Sequence, residues 1–260
     1  MESFGTFPFG EKVRRLIQKD QTPKKYFVIG SYASAVHATW RSAEDKIFSK
    51  ALPVANEPEI LWKGVPSESG EIIRRIKVPP EAGRLSQPGK WVNGGVGRLF
   101  DIEILRPLDI FRTDVWLVLL IPYTVANKGQ RKALNRYTRA AGEYNLPVSN
   151  IKFSNIKTSL VDHNRIRELL NELEVAKAEV IITLGDLPLY HFIRLFEPEK
   201  RTLSCFKMYG QLHTIKINDK SYQLLPLYHP KAGEKVGSYT QQWKNVHSNW
   251  IKDTKNNLLK

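Results

Sequence analysis

The stretch Leu224-Leu225-Pro226-Leu227-Tyr228-His229-Pro230 decides the fold, because an apolar run ends there at a histidine followed by a proline. A continuous apolar run is typical of a strand that is buried on both faces, as in a parallel sheet. A histidine at the carboxyl end of such a strand lies where open α/β sheets bind their ligands. Pro230 restricts the adjoining backbone, so we expect the imidazole of His229 at a rigid corner. A hydrogen-bonded structural histidine is the alternative for this position.

Three earlier apolar runs also predict buried strands: Tyr26–Ile29 ending at a turn at Gly30, Val115–Ile121 ending at Pro122, and Val180–Leu184 ending at Gly185-Asp186. Residues Asp162 to Lys177 have the apolar spacing of an amphipathic helix, with Asp162 as its N-cap. Residues Ile215 to Tyr222 are typical of a hairpin. The sequence therefore predicts an α/β fold with a central, mostly parallel four-stranded sheet, flanking helices and a late antiparallel hairpin.

Residues 41–100 differ from the rest of the chain. They are rich in Pro, Gly and Ser and contain one short apolar segment, from Glu71 to Val78. Long loops in compact domains are often functional, so we expect this stretch to cover a site. His37 is expected on a helix after the first strand. No internal repeat or linker is evident, and residues 1–260 are assigned to a single domain.

The charge balance indicates a polyanionic partner. The chain has 40 Lys+Arg against 26 Asp+Glu, a net charge of +14, which favours nucleic acid over an anionic membrane surface. Cys205 is the only cysteine, which excludes a disulfide framework, a cysteine-rich zinc site and a cysteine-ligated iron–sulfur cluster. The start lacks a secretory signal, and the apolar runs are too short to span a bilayer. We expect a soluble cytoplasmic protein without metal or cofactor.

Four segments together resemble the uracil-DNA glycosylase superfamily: Gly30-Ser31-Tyr32-Ala33-Ser34, Asn93-Gly94-Gly95-Val96-Gly97-Arg98-Leu99, Val180 to Leu189, and His229-Pro230. They resemble, in order, the motif after the first strand, a glycine-rich segment before a helix, a structural strand–turn–helix, and the last His-Pro motif. The resemblance covers residues 24–250. It implies a monofunctional DNA glycosylase that acts as a monomer on double-stranded DNA with a flipped base.

The same resemblance implies roles for individual residues. His229 would donate a hydrogen bond to the base oxygen and stabilise the charge of the departing base. The loop after it would contact DNA through Lys231, Lys235, Ser238 and Tyr239. The substrate-binding residues would be Gly30, Ser31, Tyr32, Trp62, Trp91, Asn93 and Leu119, with the two tryptophans stacking on the flipped base or on a group attached to it.

The first motif departs from the family, because Ser31 and Tyr32 stand where an Asp, Asn or Glu usually does. Glu57 is the predicted catalytic substitute, in the segment that should cover the site. A solvated loop carboxylate is the alternative interpretation of Glu57. Asp101 and Asp114 are further acids, which fit a helix start and a turn more simply.

A second departure concerns the substrate. Related branches place a polar residue near Leu119 to recognise uracil, and an apolar side chain lacks the groups for that recognition. The sequence therefore favours a modified base over plain uracil. The remaining resemblance is to superfamily members of bacterial anti-phage defence, which excise α-glucosylated hydroxymethylcytosine and leave an abasic site.

Three alternatives stay open at this point. One is a non-catalytic protein of the same fold that binds modified DNA, and the weak first motif favours it. The second is a uracil-type repair glycosylase. The third is a nucleosidase for free nucleosides, which the positive charge disfavours.

Overall fold

The computed structural model describes residues 4–152, 161–231 and 237–254, with side chains of the last segment described from 243 to 252. The chain divides into two compact units. The first unit comprises residues 1–16, 32–98 and 122–158, and the second comprises 17–31, 99–121 and 159–260. The prediction of a single domain stays a prediction.

Strands and helices alternate along most of the described chain. The strands are β1 (Tyr26–Ala33), β2 (Ala35–Arg41), β3 (Ile47–Asn56), β4 (Arg84–Ser86), β5 (Val115–Thr124), β6 (Val180–Leu184), β7 (His213–Ile217) and β8 (Lys220–Leu227). The helices are α1 (Pro66–Arg74), α2 (Gly95–Phe100), α3 (Lys128–Glu143), α4 (His163–Ala176), α5 (Asp186–His191) and α6 (Gly237–Thr254). A π-helical segment, Asp101–Leu105, continues α2.

A mixed, mostly parallel sheet forms the centre of the second unit, with strand order β5-β1-β6-β8-β7. β6 pairs in parallel with β1 on one side and with β8 on the other, while β7 and β8 form an antiparallel hairpin. All residues of β5 and β6 are buried, as their continuous apolar sequence predicts. The α/β fold and the late hairpin are confirmed. The sheet has five strands rather than four because β7 joins it.

The predicted amphipathic helix is confirmed as α4. The carboxylate of Asp162 accepts a hydrogen bond from the backbone N–H of Arg165 at 2.8 Å, which is the geometry of an N-cap. Leu169 and Leu173 are buried on one face of the helix. The apolar spacing was sufficient here because α4 has one buried face and one solvated face.

Two predicted strand ends are wrong. β1 passes through Gly30 to Ala33, so Gly30 is not a turn residue. A Cβ at Gly30 would lie 2.8 Å from a methyl carbon of Leu119, so this glycine permits close packing between β1 and β5. β5 likewise continues past Pro122 to Thr124. A packing glycine and a turn glycine look alike in the sequence.

The first unit contains a separate antiparallel sheet with the order β3-β2-β4. The prediction that residues 41–100 are mainly loop is therefore wrong, and His37 lies on β2 rather than on a helix. β2 is buried along almost its whole length, and its pairing with β3 is interrupted by register shifts. For this reason the sequences of β2 and β3 lack the alternation of apolar and polar residues that is typical of a half-exposed strand. Trp40 anchors this sheet, since its indole N–H donates to the carbonyl of Ala82 at 2.8 Å.

Candidate active site at the carboxyl edge of the five-stranded sheet

His229 follows the end of β8 and is positioned by the neighbouring strand β6. The backbone N–H of Gly185 donates to the carbonyl of Leu227 at 2.7 Å and joins the carboxyl ends of the two strands. Gly185 has φ +83° and ψ −174°, a conformation almost restricted to glycine. A Cβ at this position would lie 3.1 Å from the Cβ of His229. The glycine therefore permits the backbone approach that places the histidine.

The imidazole of His229 is held as a neutral hydrogen-bond donor. Its Nδ1 accepts a hydrogen bond from the backbone N–H of Lys231 at 3.2 Å, so the ring proton of the neutral form is on Nε2. Burial, aided by the charge of Lys231, lowers the pKa of His229 to about 4. At neutral pH the ring therefore presents an uncharged Nε2–H. This geometry suits donation to an oxygen that gains negative charge.

A hydrogen-bond chain holds the residue before His229. The backbone N–H of Tyr228 donates to the hydroxyl of Tyr209 at 3.0 Å, and that hydroxyl lies 2.5 Å from Nδ1 of His247. Nε2 of His247 lies 2.7 Å from the backbone carbonyl of Glu103. Because a carbonyl can only accept, Nε2 carries the proton of His247 and Nδ1 accepts from Tyr209. The chain thus links α6 to the peptide that precedes the candidate catalytic histidine.

The environment keeps this chain uncharged. Burial lowers the pKa of His247 to about 4 and raises the pKa of Tyr209 well above its ordinary value. The ring of Tyr209 packs against Trp243 and Trp250, with centroids 5.9 and 5.7 Å away. The two tryptophans are therefore packing residues.

Glu103 was missed by sequence reasoning. Its carboxylate accepts a hydrogen bond from the hydroxyl of Tyr228, and burial raises the pKa of Glu103. Tyr228 is thereby held through both its backbone and its side chain. Glu103 lies in the π-helical segment, a rare conformation that is frequent at functional sites. No local sequence signal connects it to a residue 125 positions away.

Other predicted substrate-binding residues of the second unit lie on β1 and β5. Ser31 is buried on β1. Leu119 is 2% exposed and packs on Gly30, and its carbonyl accepts two hydrogen bonds from the guanidinium of Arg165, at 2.8 and 3.3 Å. Leu119 therefore has a packing role. Contact of these three residues with a substrate stays a prediction.

Glu57 lies in the first unit, where its side chain is buried. It lines a cavity of about 690 Å³ whose other charged lining residues are Glu11, Arg14, Arg15, Arg75 and Lys77. The interpretation of Glu57 as a solvated loop residue is wrong, because the side chain is shielded from bulk water. Its catalytic role stays a prediction.

The glycine-rich segment of the first unit packs against the backbone of residues 61–64. A Cβ at Gly94 or Gly97 would lie 2.1 Å from backbone atoms of that stretch. The side chain of Asn93 accepts from the backbone N–H of His37 at 2.8 Å and donates to its carbonyl at 3.0 Å. These contacts assign a structural role to Asn93 and the glycines, and substrate contact by Asn93 stays a prediction.

The aromatic candidates of the first unit differ in exposure. Trp62 is buried and donates its indole N–H to the carboxylate of Glu68 at 2.7 Å. The ring of Trp62 is therefore shielded from an external ligand. Tyr32 is half-buried, and burial raises its pKa. Trp91, by contrast, is 64% exposed.

The predicted DNA-contacting residues fall mostly outside the described part of the chain. Lys231 is exposed directly after the His-Pro corner. Lys235 lies outside the described residues, and so do the side chains of Ser238 and Tyr239 at the start of α6. Their roles stay predictions.

Comparison with known proteins does not assign a family, since no family model and no curated protein matches this sequence. Within residues 4–152, 161–231 and 237–254, no three His, Cys, Asp or Glu residues are grouped so as to hold a metal ion. In the same ranges, every helix is too short or too polar to cross a membrane.

Proposed function

We propose that this protein is a DNA glycosylase that hydrolyses the N-glycosidic bond of a flipped, modified base and leaves an abasic site. The observation that carries the proposal is the neutral Nε2–H of His229, held at the carboxyl end of β8 by Lys231 and by the approach of Gly185. Strand ends of this kind are the ligand-binding edge of open α/β sheets.

The chemistry of base release matches this donor. Water attacks C1′ of the sugar, the C1′–N bond breaks, and the base departs with the bonding electron pair. The negative charge spreads onto the keto oxygen of the base, where a preorganised hydrogen bond from His229 stabilises it more than it stabilises the neutral ground state. The proton of the attacking water passes to solvent.

The arrangement of the elements supports the family resemblance. β6, Gly185 and α5 form a strand–turn–helix at Val180 to Leu189, and His229-Pro230 directly follows the last strand of the sheet. The net charge of +14 supports a DNA substrate, because cations that neutralise phosphates supply most sequence-independent affinity.

A modified base is favoured over plain uracil. The side chain of Leu119 is apolar and packed on Gly30, so it has no group with which to recognise the uracil edge. We propose a modified cytosine, such as α-glucosyl-hydroxymethylcytosine of phage DNA, as the substrate. Ser31 and Tyr32 in place of a first-motif acid favour the second candidate, a non-catalytic protein that binds modified DNA.

A panel of duplexes tests both candidates. DNAs carrying uracil, hypoxanthine, hydroxymethylcytosine or glucosylated hydroxymethylcytosine are incubated with the protein, and released bases are detected by mass spectrometry. Release of a cytosine derivative is expected. Release of uracil alone would contradict the modified-base proposal, and tight binding without release from any duplex would favour the non-catalytic candidate.

A further inference from the structure

Among the described residues of the first unit, Trp91 is the most exposed aromatic side chain, and it is held in a strained backbone conformation. Its φ is +73°, although bulky residues rarely adopt positive φ values. The indole is 64% exposed. A residue in such a strained conformation persists only where its surroundings enforce it, often at binding sites.

Arg98 holds this tryptophan. Its guanidinium carbon lies 4.6 Å from the centre of the Trp91 ring, and Nζ of Lys90 lies 5.5 Å from it. The guanidinium also donates to the carbonyls of Lys63 and Asn93, at 2.5 and 2.7 Å. A planar guanidinium fixed by two carbonyls is a rigid support for an aromatic ring.

The glycines explain why the support is rigid. Gly94 and Gly97 let the segment that carries Trp91 and Arg98 lie directly on the backbone of residues 61–64. Arg98 then spans the two segments through their carbonyl groups. The exposed indole is therefore preorganised, so little conformational entropy is lost when a ligand stacks on it.

We infer that Trp91 is a stacking platform for an unpaired nucleobase, with Arg98 as its positioning residue and Lys90 as a nearby cation for the phosphate backbone. An exposed aromatic ring beside cations is the combination by which proteins bind bases outside a duplex. The inference rests on the proposed function only in its choice of DNA as the ligand. It assigns a base-binding surface to the first unit by itself.

Fluorescence of 2-aminopurine tests the stacking directly. The probe is a single-stranded oligodeoxynucleotide with one 2-aminopurine, and the protein carries His229→Ala so that base release is negligible during the measurement. We expect quenching on binding, and a loss of quenching with Trp91→Ala together with a 5- to 150-fold weaker Kd, as about 1 to 3 kcal/mol of stacking implies. Trp91→Phe should retain part of both.

Matched variants separate stacking from charge and from folding. Phe111→Ala removes an aromatic side chain that is 66% exposed in the second unit, and it should leave quenching and Kd unchanged. Lys90→Ala should lower the slope of log Kd against log salt by about one and keep the quenching, whereas Trp91→Ala should keep the slope. Arg98→Lys keeps the positive charge but loses the planar guanidinium. It should weaken the quenching and leave the slope of log Kd against log salt unchanged.

Three results would overturn the inference. The first is that Trp91→Ala keeps the wild-type Kd and quenching, and the second is that Phe111→Ala changes both as much as Trp91→Ala does. The third is that Trp91→Ala weakens binding of glucosylated DNA alone, which would show that the ring binds the sugar. The outcome is independent of catalysis. Trp91-dependent quenching without base release from any DNA would refute the proposed function alone, and base release with unchanged stacking in Trp91→Ala would refute this inference alone.

Discussion

The backbone N–H of Lys231 donates to Nδ1 of His229 over 3.2 Å, and this one contact sets which ring nitrogen carries the proton of the neutral form. A neutral imidazole can carry its proton on either nitrogen. Because Nδ1 is an acceptor here, Nε2 is the donor. The candidate chemistry of the site depends on that proton.

His229→Ala should slow base release by about 100- to 1000-fold, the usual cost of removing one donor to a developing oxyanion. Single-turnover release from the best duplex of the panel measures it. His163→Ala is the matched control, because His163 is an exposed histidine of α4 in the same unit, and it should retain full activity. Equal losses in both variants would contradict the role of His229.

The ring of His229 should stay neutral from pH 8 to about pH 5, since its pKa is lowered to about 4. Nitrogen NMR of histidine-labelled protein measures both the protonated nitrogen and its titration. We expect an Nε2–H signal that persists to pH 5. A midpoint near the ordinary value of about 6.5 would show that the imidazole is solvated.

Gly185→Ala should reduce activity more than stability. Alanine at φ +83° costs about 1 to 3 kcal/mol, and its Cβ would press on the Cβ of His229 from 3.1 Å away. Urea denaturation and single-turnover release measure the two effects. Gly142→Ala is the control, because Gly142 is an exposed residue of α3 with open space around its Cα, and the added methyl should stabilise α3 slightly. A fully active Gly185→Ala protein would show that the close contact between residue 185 and His229 is not needed to position the imidazole.

Tyr209→Phe should destabilise the protein by about 1 to 3 kcal/mol, because the buried N–H of Tyr228 and Nδ1 of His247 both lose their partner. Base release should fall as well, since the peptide before His229 is no longer fixed. Tyr190→Phe, at an exposed tyrosine of α5, should change neither quantity. Normal activity at reduced stability would limit Tyr209 to a structural role.

Stability should fall as the pH is lowered from about 6.5 to 4. The pKa of buried His247 is about 4 in the folded protein and near 6.5 in the unfolded chain, so the unfolded state binds more protons across this range. The 2.5-unit difference corresponds to at most about 3 kcal/mol. His229 acts in the same direction, because its pKa is also lowered to about 4, so it should account for the part of the loss that remains without His247. Glu103 acts in the opposite direction, because its pKa is raised.

Denaturation midpoints at pH 7, 6 and 5 measure this dependence. His247→Asn removes the titrating ring, and its midpoints should vary less with pH than those of the wild type. Parallel curves for the two proteins would show that His247 does not cause the loss.

Elements with one simple environment were predictable from the sequence. Fully buried strands such as β6 have continuous apolar sequences, and α4 has one apolar face and a capping aspartate. β2 and β3 were not predictable, because their burial does not alternate along the strand. The role of Gly30 required the position of Leu119, which is distant in sequence.

The candidate site divides in the same way. The sequence alone predicted that His229 lies at the carboxyl end of a buried strand, next to a proline. It could do so because the apolar run and the His-Pro turn are formed by residues adjacent in sequence. Only the tertiary structure decided the ring tautomer, the lowered pKa of His229, and the chain from Tyr228 through Tyr209 and His247 to Glu103. The hydrogen bonds of that chain join residues 19 to 144 positions apart, and desolvation depends on everything packed around a group, so no local pattern encodes either. The contact that sets the tautomer is local, between His229 and Lys231, but it depends on the orientation of the imidazole ring, which the sequence does not fix.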